Sequence, residues 1–216
     1  MNVLEIRKLK ISYGPQPCIS FAYPDIVLQR GRCLCIRGPV GCGKTTMVNS
    51  LFSRSFKGKT QYEKAELLGR DIREWGSKLY GVMSYMPQHS QNALNPYATI
   101  GKHIKHIQNG NKSTCSYREL LGRLELEAGI TGKYPHQLSG GMKQRLVMLL
   151  GFLKNPELFV IDEPSTAIDP VTLRLILDFL KQKKAEGTTM LMITHDRGLA
   201  AHMSDESIDL EGAASE

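Results

Sequence analysis

Gly38-Pro39-Val40-Gly41-Cys42-Gly43-Lys44-Thr45-Thr46 is the stretch on which the reading of this chain turns. Its pattern, G-x-x-x-x-G-K-T, sits where an apolar run, Arg32 to Arg37, gives way to a segment of helical character, Thr46 to Phe52. A phosphate-binding loop needs that setting. Glycines let backbone N–H groups close around oxyanions, and the following helix turns the positive end of its dipole toward them. Lys44 would reach the β- and γ-phosphates of a nucleotide, and Thr45 would offer its hydroxyl to Mg²⁺. The plain alternative is a glycine-rich turn that binds nothing.

A second chemical cluster lies downstream. Glu157 to Ile161 is a run of Leu, Phe, Val and Ile without alternation, as in a central parallel strand covered on both faces, and it ends in Asp162-Glu163-Pro164. Asp169-Pro170 supplies an N-cap and a proline at the first helical position, and Leu173, Ile176, Leu177 and Leu180 mark the buried face of the helix that follows. After Gly187 a further apolar strand, Thr188 to Thr194, delivers His195 and Asp196. A strand-helix-strand order of this kind implies a right-handed crossover and a parallel sheet, with ligands at the carboxyl ends of the strands. Phosphoryl transfer to water needs charge neutralisation, a held Mg²⁺ and a group that places the water. Asp162 is the candidate to support the Mg²⁺ that Thr45 ligates, and Glu163 the candidate water-orienting base. An Asp-Glu pair at a strand end could also do no more than cap a turn.

Upstream, Leu4 to Ile11 reads as an edge strand ending in the turn Tyr13-Gly14-Pro15, and Ile19 to Gln29 and Arg32 to Arg37 read as two strands joined by Arg30-Gly31. Tyr80 to Met86 is another apolar run, closed by Pro87-Gln88. Strand signals vanish from His89 to about Lys154. Thr99 to Gln108 and Ser116 to Ala128 look helical, the second opening with the capping-box pattern Ser116-x-x-Glu119. Met142, Leu146, Leu149, Leu150 and Leu153 share one face of a later helix. The expectation is one α/β domain, residues 1–216, with a helical insertion at roughly 89–154.

Composition sets the outer limits. The 216 residues suit a single large domain, and 41% hydrophobic with 23% charged residues is ordinary for a globular protein. No apolar stretch approaches a membrane span and no signal-peptide block opens the chain, so the protein is expected in the cytoplasm, reaching any membrane through a partner. Net charge is +7; the stretch from Asp205 onward holds five acidic residues and no Lys or Arg, so residues 1–204 carry +12. The basic residues are scattered without aromatic interleaving, which argues against a nucleic-acid platform. Cys18, Cys33, Cys35, Cys42 and Cys115 form no zinc-like spacing, and Cys33 and Cys35 read as buried thiols on one strand face. His103 and His106 read as a solvated helix face.

Leu138-Ser139-Gly140-Gly141-Met142-Lys143-Gln144 resembles the signature motif of the ATP-binding cassette (ABC) ATPases, and the resemblance extends over nearly the whole chain. It implies an α/β P-loop NTPase fold with a mainly parallel central sheet, an antiparallel β subdomain and an inserted α-helical subdomain. It also implies roles. Gly38, Gly41, Cys42, Gly43, Lys44, Thr45 and Thr46 would hold ATP, and Tyr13 would stack on its adenine. Gln88 would join Thr45 and Asp162 near Mg²⁺, Glu163 would act on water, and His195 would be the switch at the γ-phosphate. Ser165 to Asp169 would form the dimer-contact loop. Ser139, Gly140 and Gly141 of one subunit would close over ATP held by Lys44 of another, so one chain is half of a site. The partners implied are a second cassette, integral membrane permease subunits and a solute-binding protein, with the cassette on the cytoplasmic face of the membrane.

Asn92-Ala93-Leu94-Asn95-Pro96, Thr99-Ile100-Gly101 and Tyr134 to Arg145 further resemble the peptide and nickel importer branch. That branch commonly continues well past the switch histidine, whereas only Asp196 to Glu216 follow here, so peptide, nickel or metal-chelate stays open as the solute. A soluble cassette ATPase acting on nucleic acid or ribosomes, and an exporter subunit, are the alternatives.

Overall fold

In the computed structural model, which describes residues 1–14, 19–53, 55–110, 115–166 and 168–210, the chain begins with β1 (Asn2–Arg7), β2 (Lys10–Tyr13), β3 (Ile19–Ala22), β4 (Ile26–Gln29) and β5 (Cys33–Arg37). Next come α1 (Lys44–Phe52), β6 (Lys59–Gln61), β7 (Lys64–Leu67), β8 (Arg70–Asp71), α2 (Leu79–Val82) and β9 (Met83–Met86). The helices α3 (Ile100–Gly110), α4 (Tyr117–Arg123) and α5 (Gly140–Leu153) precede β10 (Leu158–Asp162). The last elements are α6 (Pro170–Ala185), β11 (Met190–Thr194), α7 (Arg197–Met203) and β12 (Glu206–Asp209). Pro15, Cys18, Ala167 and the acidic Glu211 and Glu216 lie outside the described residues.

The residues divide into two compact units, 1–79 with 189–216, and 80–188. In the first, β5 pairs in parallel with both β11 and β12. Two antiparallel sheets, β4-β1-β7-β8 and β3-β2-β6, accompany them. The run Leu4 to Ile11, expected as one edge strand, is two strands. Lys8 takes a positive φ of 51° and breaks it, and β1 lies inside its sheet between β4 and β7. Ile19 to Gln29 is likewise cut into β3 and β4, at Tyr23-Pro24-Asp25, where proline removes a ladder donor.

In the second unit β9 pairs in parallel with β10. Every residue of β10 is buried, as its unbroken apolar run requires. The Tyr80 to Met86 run is strand only from Met83, because Leu79–Val82 forms a helical turn. Among the described residues 89–154 there is no strand. The helix expected over Ser116 to Ala128 stops at Arg123, with Glu125 at φ 48°, and Ser116 makes no side-chain capping bond. The buried face of α6 centres on Ile176, Phe179, Leu180 and Lys183, while Leu173 and Leu177 are half-buried. Phe179 causes that rotation by packing edge-on against Phe152 at 5.2 Å, and Phe152 stacks on Phe159 of β10 at 4.3 Å. His103 is not simply a solvated side chain: its ring accepts the Asn95 N–H at 3.0 Å and faces the Thr99 carbonyl at 2.9 Å. The bond from Asn95 ties the Asn92–Pro96 loop to α3.

Candidate functional site

Parallel register assembles the chemistry in two halves. In the first unit Arg37 of β5 lies beside Thr194 of β11, so the Gly38 loop and His195 leave adjacent strands at the same end. In the second, Met86 of β9 lies beside Ile161 of β10, so Gln88 and Asp162-Glu163 do the same.

The Gly38–Thr46 loop is folded tightly on its lysine. Lys44 is 7% exposed, and its Nζ donates to the carbonyls of Gly38 and Pro39, both at 2.8 Å, with Cys42 Sγ at 3.9 Å. Gly43 is the N-cap of α1, at φ 93°, and nothing acidic occupies the first turn, so the positive end of the helix is left for an anion. A Cβ on Gly43 would lie 2.6 Å from the Phe21 ring and 2.7 Å from the Tyr23 hydroxyl. Gly43→Ala is therefore expected to destabilise the fold by about 1–3 kcal/mol through strain and overpacking. Urea denaturation of both chains checks this. Cys42 is buried, Thr45 and Thr46 are half-buried, and Tyr13 packs its ring against Phe56 at 5.4 Å. His195 is exposed at the end of a wholly buried strand.

In the other half Asp162 is 1% and Glu163 5% exposed. Glu163 holds φ at +50°, a conformation that costs a non-glycine residue about 1–3 kcal/mol and often marks a working site. Gln88 is exposed. Ser139 caps α5, accepting the Met142 N–H at 3.2 Å, and remains exposed. Gly140 lies against the Gln91 side chain, and a Cβ on Gly141 would meet Thr172 Oγ1 at 2.9 Å. The Thr172 N–H and hydroxyl bind Asp169 at 2.9 and 2.7 Å and hold its carboxyl below the usual carboxylate range. The serine-glycine string, α6 and the loop after Glu163 are thus one packed group.

The family model described as "ABC transporter" matches residues 24–166, from before the phosphate loop to beyond Glu163. The chain belongs to the ABC transporter family. Among its relatives is the dipeptide transport ATP-binding protein DppD of Escherichia coli K12, 31% identical over 96% of this chain and 69% of that one. The oligopeptide transport ATP-binding protein OppD of Lactococcus lactis subsp. cremoris is 28% identical over 94% of this chain, which spans 65% of that relative's length. A solved ATP-binding subunit of an ABC transporter superposes with a TM-score of 0.82 at 24% identity, over 97% of this chain and 86% of that one. A dimeric ATP-binding cassette in a post-hydrolysis state with ADP and Pi gives 0.75 at 22%, over 98% of each chain. The fold is that of an ABC ATPase, an α/β P-loop NTPase with parallel strands, antiparallel sheets and helices.

Two side chains bonded to candidate site residues, Tyr23 and Tyr85, belong to no motif in the sequence, and Gln144 is the last residue of the signature-like string. Tyr23 donates its hydroxyl to the Gly43 carbonyl at 2.9 Å. Gln144 donates to the Pro164 carbonyl at 2.9 Å and ties α5 to the loop beyond Glu163. Tyr85 donates to Asp162 Oδ2 at 3.1 Å, and burial, with the Asp162 charge adding to it, pushes its phenol well above the ordinary range. Tyr85 stands after Ser84 in an apolar run and Tyr23 just before Pro24-Asp25, so a tyrosine at the end of a strand-like stretch is the signal available for finding them.

Proposed function

We propose that this chain is the ATP-binding, ATP-hydrolysing subunit of an importer that takes up a small solute, a peptide, nickel or a metal-chelate, through separate membrane subunits. The observation that carries the reading is the loop wrapped on Lys44 at the end of β5, beside the strand that delivers His195. Loop amides and Lys44 would hold the phosphates, Tyr13 the adenine, Glu163 the attacking water, and His195 the γ-phosphate. The Thr45 hydroxyl, Gln88 side-chain carbonyl and Asp162 carboxylate are hard oxygen donors of the kind Mg²⁺ prefers, and a metal ion there would neutralise phosphate charge. Ser139, Gly140 and Gly141 would act on the nucleotide of a neighbouring cassette.

The helical stretch at roughly 89–154, which carries the importer-like strings Asn92 to Pro96 and Tyr134 to Arg145, would face the membrane partner. It contributes most of a groove of about 500 Å³, with Ala93, Leu94, Asn95, Lys102, His106 and Lys154 in its lining. Among the described residues no helix is long and apolar enough to cross a membrane. Affinity purification of the chain from membranes tests the reading. Recovery with integral membrane subunits and a solute-binding protein is expected. A soluble ATPase stimulated by nucleic acid or ribosomes would overturn it.

A further inference from the structure

Tyr85 stands at an unusual place. It lies on β9 opposite Val160 of β10, and Asp162, two residues on, shares the face of Val160. The tyrosine therefore leans along the strand direction to the next position on the same face, and its hydroxyl reaches Asp162 Oδ2 at 3.1 Å. Its ring lines the 500 Å³ groove together with Leu94, His103, Leu150 and Lys154. One side chain thus touches both the groove and the buried carboxylate.

We propose that Tyr85 is a positioning residue, holding the Asp162 carboxylate in the orientation that receives the metal ion of the bound nucleotide. The inference rests on the Mg²⁺ assignment made above for Thr45 and Asp162. A carboxylate at a strand end has a broad terminal torsion that strand pairing does not fix. A donor on Oδ2 fixes that torsion and directs the remaining lone pairs. Groups that orient metal ligands in this way change metal affinity or activity by about 10- to 100-fold when removed. Tyr85 acts through Asp162 and has no assigned contact with phosphate, so its loss should change what the metal adds to binding and leave metal-free nucleotide binding alone.

The test measures ATP dissociation constants by equilibrium dialysis, in Mg²⁺ and in EDTA, for the full chain and for Tyr85→Phe, which removes one oxygen and keeps the ring. The expected result is an unchanged constant in EDTA and about a ten-fold loss of the affinity that Mg²⁺ adds. Tyr85→Met, which also lacks the hydroxyl, should show the same loss and serves if the phenylalanine chain fails to fold. In an Asp162→Asn background Tyr85→Phe should add nothing, because coupled residues are not additive. A Mg²⁺ gain within two-fold of the parent chain in the hydroxyl-free variants would overturn the proposal, as would an equal weakening in EDTA. If the parent chain itself gains nothing from Mg²⁺, the metal assignment fails first and this proposal falls with it.

Discussion

Glu163→Gln is expected to slow ATP hydrolysis by about 10²- to 10⁴-fold, the usual contribution of a positioned general base, while ATP binding persists. The glutamate follows the last residue of a strand that is buried throughout, and it is itself 5% exposed. Its φ of +50° is a conformation the chain must hold against a cost of about 1–3 kcal/mol, and the Thr166 N–H bonded to its carbonyl at 3.2 Å helps to hold it. Glutamine keeps the size and the backbone demand and removes only the capacity to take a proton. Phosphate release, with bound ATP quantified in parallel, separates the two steps. Unchanged turnover would mean that Glu163 is not the base.

Lys44→Ala is expected to lower the hydrolysis rate by on the order of 10²-fold or more, through loss of one preorganised charge contact to the phosphates. The two carbonyl bonds at 2.8 Å show how closely the loop is built around this ammonium. Alanine leaves those carbonyls aimed at an apolar methyl, so the loop loses its internal tie as well as its charge. Steady-state phosphate release is the check, and normal activity would remove the loop from the mechanism.

The positions of these residues were legible because each follows an apolar run bounded by glycine or proline. Gly38 follows β5, Pro87-Gln88 follows β9, and Glu163-Pro164 follows β10. What the sequence hid has physical causes. Lys8 breaks a strand by adopting a left-handed conformation that its residue type does not advertise. The face of α6 turns toward Phe179 and Lys183 because of aromatic packing on Phe152, whose partners lie far apart in the chain. Tyr85 and Asp162 are 77 positions apart, and only the parallel register of β9 and β10 makes them neighbours. Periodicity finds faces and ends of elements. It does not find which polar group on one element meets which on another.

Equilibrium binding of ATP to the purified chain, alongside Lys44→Ala, tests the central claim most directly. The account requires saturable binding of one ATP per chain, lost or greatly weakened in the variant. Absence of saturable binding by the parent chain, or equal affinity in Lys44→Ala, would contradict it.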